Sequence, residues 1–153
     1  VTREEQVAEL LLADTTLLGI LPGGIYTYQE VGVEGIRRGD GSPTAQAFDS
    51  EGRLLPCAWV IQRGLVPDEQ FWDLEEKMVS TQQIVQIFFY EFRGHAAIEA
   101  AKQRSYVVLQ GETIAQAYPL QWDFETGFFP DVGPVANSTT LRQDWRINSI
   151  RKP

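Results

Sequence analysis

The sequence predicts an α+β fold. Three observations carry that expectation. From Ser80 to Arg93 the chain reads as one long strand, with Val85, Ile87 and Phe89 on one face and Ile84, Phe88, Tyr90 and Phe92 on the other. Across Gly94 the hydrophobic period changes from two to 3.6, and Ile98, Ala101, Ser105, Val108 and Leu109 form a helical stripe. Helical spacing also opens the chain, and period two returns towards its C-terminus.

In order, Thr2-Arg3-Glu4-Glu5 fits a capping box, in which each side chain satisfies the other residue's N–H. Val7, Leu10, Leu11 and Leu18 recur at helical spacing, so residues 3–13 are expected to be a helix with one buried face. Asp14 is placed to cap a second short turn through Leu18, which Pro22-Gly23-Gly24 stops. Gly24 to Tyr28 is a short strand candidate. Glu30 to Pro56 is rich in Gly and charge and poor in period, and reads as a long excursion holding a loose hairpin. A loop of that length is either a binding surface or a mobile connection. Pro56 to Gln62 reads as a strand, and Leu65 to Lys77 as a connector with a helical turn after Asp68.

The long strand is apolar on both faces. It is therefore expected at the centre of a sheet, covered on its second face by another layer of this chain or by a neighbouring subunit. Gln110-Gly111 ends the helix that follows. Tyr118, Leu120, Trp122 and Phe124 then alternate with polar residues, and Pro119 argues for an edge or a strand start. A Gly/Pro loop from Gly127 to Ser138 leads to a last strand. There Leu141, Gln143, Trp145 and Ile147 face one way, and Arg142, Asp144, Arg146 and Asn148 face solvent or a partner. Trp122 and Trp145 read as core residues in preference to a stacking platform for bases.

A chain of 153 residues is expected to form one domain. Four Trp, five Tyr and eight Phe supply enough bulk for a sizeable core. No apolar run approaches the ~20 residues that span a bilayer. The N-terminal residues lack the basic start and apolar run of a secretory signal. The net charge of -8 repels phosphates, which argues against a tight grip on nucleic acid and favours basic or apolar partners.

Residues suited to chemistry are few. Cys57 has no second cysteine to bridge and reads as a small strand residue beside a core. His95 is the single histidine, sits at the strand-to-helix turn, and reads as a capping or solvated imidazole. No nucleophile elbow, phosphate loop or dinucleotide fingerprint is present, and one Cys with one His is too few for zinc. Neither Asp68, Glu69, Asp73, Glu75 and Glu76 nor Asp40, Asp49 and Glu51 has calcium-loop spacing. They read as a solvated acidic face and turn residues. No cofactor and no metal is expected. Arg37-Arg38 is a basic island in an acidic chain, either a solvated turn or a docking pair for an acidic neighbour.

The order of these pieces resembles the tail-terminator (tail-completion) proteins of long-tailed bacteriophages. The matching segments are VAELLLADTTLLGILPGGIY, LPCAWVIQRG, QQIVQIFFYEF, IEAAKQRSYVVLQG and TTLRQDWRINSI. They span nearly the whole chain, although the Glu30–Pro56 excursion is longer than the family leads one to expect. The resemblance implies a mixed or antiparallel sheet flanked by two main helices. It implies a non-enzymatic virion protein of the tail or neck, assembled in the host cytoplasm as a ring, a hexamer in the family. Such a ring caps the tail tube protein and docks to the head-completion (stopper) protein. It also meets the sheath where the tail is contractile, and DNA passes transiently through its lumen. No membrane partner is implied. Subunit or partner contacts are expected at Arg37, Arg38, Asp49, Glu51 and Arg53 in the excursion and at Asp68 and Glu69 in the connector. Alternatives are another neck component (a stopper or head–tail adaptor), a tail-tube subunit, or a small enzyme or ligand-binding domain working through carboxylates. The two helices argue against a tube subunit.

Overall fold

The capping box forms as the sequence requires. The Thr2 hydroxyl accepts from the Glu5 N–H at 3.2 Å, and the Glu5 carboxylate accepts from the Thr2 N–H at 2.7 Å. Helix α1 (Arg3–Leu12) follows, and Asp14 caps the short helix α2 (Thr15–Ile20) by accepting from the Leu17 N–H at 2.9 Å. Strand β1 (Ile25–Thr27), a single turn α3 (Tyr28–Val31), and strands β2 (Cys57–Pro67) and β3 (Val79–Phe92) come next. Helix α4 (Ala96–Leu109) precedes β4 (Gln121–Glu125), β5 (Phe129–Pro130) and β6 (Ser138–Arg151). This computed structural model describes residues 2–39, 41–67, 79–114, 119–130, 134 and 137–151.

The strands form one mixed sheet in the order β1-β2-β3-β6-β4, with β5 also beside β6. Strand β1 runs parallel to β2, and the other pairs are antiparallel. The fold is α+β, and β3 lies at the centre of the sheet as its doubly apolar pattern requires.

One face of the sheet carries the helices. Val7 and Leu11 of α1, Leu17 of α2, and Ile98, Ala101 and Leu109 of α4 pack on Val60, Val85, Ile87 and Phe89. The register Val85↔Trp145 and Phe89↔Leu141 brings Trp145 and Leu141 of β6 onto the same face. Each wholly buried Val or Leu contributes about 1.5–3 kcal/mol from lost water contact. Gln143 is a polar residue inside this core. Its side-chain N–H groups reach Glu125 Oε1 at 2.8 Å and the Lys102 carbonyl at 3.2 Å, while its oxygen accepts from Trp145 Nε1 at 2.8 Å. Arg104 of α4 forks onto Asp14 through two hydrogen bonds of 2.8 and 2.7 Å, tying α4 to the corner between α1 and α2.

The opposite face of β3 is covered in part by this chain itself. Tyr26, Cys57 and Tyr90 of the strands pack with Val31, Ile36, Ala47 and Leu54 of the excursion, and Phe48 and Phe92 lie against them. The excursion is folded into α3, two 3-10 turns (Gly32–Glu34 and Ala45–Ala47) and a bridge between Phe48 and Leu54 that closes the expected hairpin.

Three expectations need correction. The connector expected to begin at Leu65 begins later, because Leu65, Val66 and Pro67 pair with Gln83, Gln82 and Thr81 after a register shift. The early β3 backbone needs hydrogen-bond partners, and a longer β2 supplies them. The helical turn expected after Asp68 lies outside the described residues. Trp145 is a core residue, but Trp122 is not: it lies on edge strand β4 and is 43% exposed. The alternation through Phe124 also breaks, because a bulge between Trp122 and Phe124 pairs Phe124 with Asp144 on the other face. Tyr118, from the same pattern, lies outside the described residues.

Candidate interaction surface

Residues of like parity on β2, β3 and β6 build the face of the sheet away from the helices. Strand β2 contributes Trp59 and Ile61, β3 contributes Ile84, Gln86 and Phe88, and β6 contributes Arg142, Asp144 and Arg146. The excursion covers one end of this face, and among the described residues no other helix or turn packs over the rest, where Gln86 and Asp144 are nonetheless buried.

At the covered end, Thr44 pins the excursion shut. Its hydroxyl oxygen accepts from the Arg37 N–H and its O–H donates to the Arg37 carbonyl, both at 2.9 Å. A chain of rings then crosses the face: Tyr28 to Trp59 at 6.2 Å, Trp59 to Phe88 at 5.8 Å and Phe88 to Tyr90 at 6.4 Å. Beside it lies a depression of about 330 Å³, lined by Val33, Ile36, Trp59, Phe88, Tyr90 and Thr140 among others. Val33 on its rim is 85% exposed. Trp59 Nε1 and Arg146 Nε are buried donors on this face without an acceptor among the described residues. An unmade hydrogen bond of this kind costs on the order of 1–3 kcal/mol.

At the open end, three arginines lie along the sheet. Arg63 Nε donates to Gln86 Oε1 at 2.6 Å. Arg142 Nε donates to Asp144 Oδ1 at 2.9 Å, and its guanidinium sits 5.7 Å from the centre of the Phe124 ring. Arg146 Nη2 donates to Gln121 Oε1 at 2.8 Å, with Asp123 at 3.8 Å. Phe124 and Phe129, 48% and 46% exposed, stand on the β4–β5 side of these arginines. A −8 chain thus sets three arginines among the apolar residues of this face, two of them paired with Asp144 and Asp123.

The contact residues expected in the excursion come together in one lobe. Arg37 pairs with Glu34, and Arg53 pairs with Glu51 and with Asp49 at 3.7 Å. Asp49 Oδ1 also accepts from the Glu51 and Arg53 N–H groups at 2.9 Å, fixing the hairpin tip. Arg38 lies over the Phe48 ring at 5.7 Å. Asp68 and Glu69 lie outside the described residues. The sequence had set Arg142 and Arg146 on an outward face by their period. Arg63 and Phe129 carried no such signal, because their neighbours on the sheet come from distant strands.

Groups with reactive chemistry are used structurally. His95 is exposed, makes no side-chain cap bond and stacks on Phe128 at 4.4 Å. Glu91 caps α4 in its place, accepting from the Ala97 and Ile98 N–H groups at 3.0 and 3.2 Å. Burial pushes the Cys57 thiol up to about 12. Among the described residues, no group of three or more His, Cys, Asp or Glu is placed to hold a metal ion, and no helix is long and apolar enough to cross a membrane.

In sequence, the chain matches no family model and no curated protein. In fold it has a solved counterpart. A chain in the structure titled "Virion of native gene transfer agent (GTA) particle" matches it with a TM-score of 0.60 at 13% identity. The match covers 98% of this chain and 96% of the other. At that identity the likeness is one of fold, and at that coverage it takes in helices, sheet and excursion together.

Proposed function

We propose that this chain is a structural virion protein of a phage-like particle, and that it forms the ring that ends the tail tube at the head–tail joint. The observation that carries this reading is the near full-length fold likeness to a chain of a gene transfer agent virion. The order of segments shared with tail terminators points the same way. A partly uncovered, arginine-crossed sheet face suits a subunit that spends its working life packed against neighbours. The ring, a hexamer on this reading, meets the tail tube on one side and the stopper on the other, and the sheath where the tail contracts. DNA crosses the lumen without being held, which an acidic chain favours. The role is assembly, with no catalytic step. The whole chain acts as one tail-terminator-like domain, and Arg37, Arg38, Asp49, Glu51, Arg53, Asp68 and Glu69 contribute contacts to subunits or partners.

The decisive experiment removes the chain from the particle and images the products. Particles lacking it should make tails of uncontrolled length that do not join heads. Tails of normal length that fail only at joining would overturn the terminator role and assign a stopper role. Light scattering on the purified chain, alone and with its tube partner, should give a closed oligomer. A strict monomer in both conditions would count against any ring.

A further inference from the structure

We infer that the arginine-crossed open face of the sheet is the seat of a second copy of this chain, which docks with the acidic groove between its α1 and α3. The inference rests on the ring reading and names the two surfaces that would close the ring.

The groove lies on the helix side of the molecule. It is a depression of about 270 Å³ lined by Glu5, Ala8, Glu9, Leu12, Thr27 and Glu30. Its rim is anionic, and its apolar element is Leu12, which is 43% exposed. The sheet face is the complement in both respects. Arg63, bonded to the neutral Gln86, and Arg142 and Arg146, which also pair with Asp144 and Asp123, supply the cations, and Ile61, Ile84, Phe88 and Phe124 supply the apolar floor. Opposite charges facing each other across an interface set orientation and speed encounter, while apolar contact supplies most of the binding energy.

Two features favour a second copy over an unrelated partner. First, both halves of the charge pair belong to the same chain. Second, they lie on opposite layers, since α1 packs on one face of the sheet and the arginines lie on the other. Two different surfaces of one molecule that fit each other make a head-to-tail contact, and such contacts close into rings when the rotation per subunit permits.

The test uses two variants of the full chain. One reverses the sheet face (Arg63→Glu with Arg146→Glu) and the other reverses the groove (Glu9→Lys with Glu30→Lys). Each should fold, by circular dichroism and tryptophan emission, and each alone should stay monomeric at concentrations where the wild type assembles. An equimolar mixture should assemble again, because the reversed sheet face of one variant then meets the reversed groove of the other, and the two unreversed surfaces also meet with opposite sign. A milder pair, Arg63→Gln with Arg146→Gln and Glu9→Gln with Glu30→Gln, keeps size and hydrogen bonding should a reversal unfold the chain. Each of these should raise the assembly midpoint about tenfold. A folded reversal variant that assembles like the wild type, a mixture that stays monomeric, or Gln variants with an unchanged midpoint would overturn the inference and leave the ring standing. A wild type that never assembles would instead sink the ring reading itself.

Discussion

At the scale of single residues, close approach explains positions that polarity does not. Gly23 turns the chain from α2 into β1 and donates its N–H to the Pro56 carbonyl at 2.8 Å. A Cβ there would stand 2.8 Å from Pro56 O, 2.9 Å from Leu55 O and 3.0 Å from Cys57 Cβ. Backbone cannot yield as a flexible side chain can. Gly23→Ala should therefore cost about 1–3 kcal/mol, read as a lower urea midpoint with an unchanged slope. Cys57, next to that contact, is wholly buried with its thiol pushed up to about 12. The native chain should resist thiol labelling at pH 8, and labelling should track unfolding; rapid reaction of the folded protein would contradict this burial. The sequence placed Cys57 on a strand beside a core. The crowding at Gly23 was invisible there, because its neighbours are more than thirty residues away along the chain.

At the scale of elements, local signals did best where they were self-contained. The capping box, the Asp14 cap, the long strand and the stripe of α4 each depend on residues within a few positions of one another, and each formed. The same Asp14 also acquires a distant partner. The hydrogen bond from Arg104 holds its carboxyl below the ordinary 3.8, against a smaller opposing push from burial, and the Leu17 N–H adds to the lowering. A carboxyl lowered in the folded state favours folding above its unfolded value, and that contribution fades as pH falls through the folded value. Asp14→Asn should thus be less stable than wild type by a constant margin above about pH 5. The margin should shrink as pH falls below 3.8. Urea midpoints across that range would check it, and a margin independent of pH would contradict the Arg104–Asp14 fork. Strand β4 is the opposite case. Its period-two pattern promised a buried Trp122, but the strand lies at the sheet edge and a bulge turns Phe124 to the other face. Sheet position and bulges are set by partners far along the chain.

At the scale of the whole molecule, the distribution of charge matters more than its total. The excursion folds over one end of the outer sheet face and gathers Arg37, Arg38, Asp49, Glu51 and Arg53 into one lobe. Arg37 and Glu34 are half-exposed, so breaking their ion pair should cost the fold little, roughly 0–1 kcal/mol. Arg37→Glu with Arg38→Glu should leave the monomer folded and weaken assembly, measured by light scattering across a dilution series. Unchanged assembly would make the pair an ordinary solvated turn. The amino-acid sequence by itself determined the α+β class, the two main helices, the capping box of the first, the central strand and the scarcity of reactive groups. Those follow from period, capping and composition, which act over a few residues. Only the tertiary structure decided that the excursion covers part of the second face of β3 and that Trp122 stays outside. It also decided that Arg63, Arg142 and Arg146 share one open surface opposite an acidic groove. Strand order and layer packing bring together residues that no local pattern links.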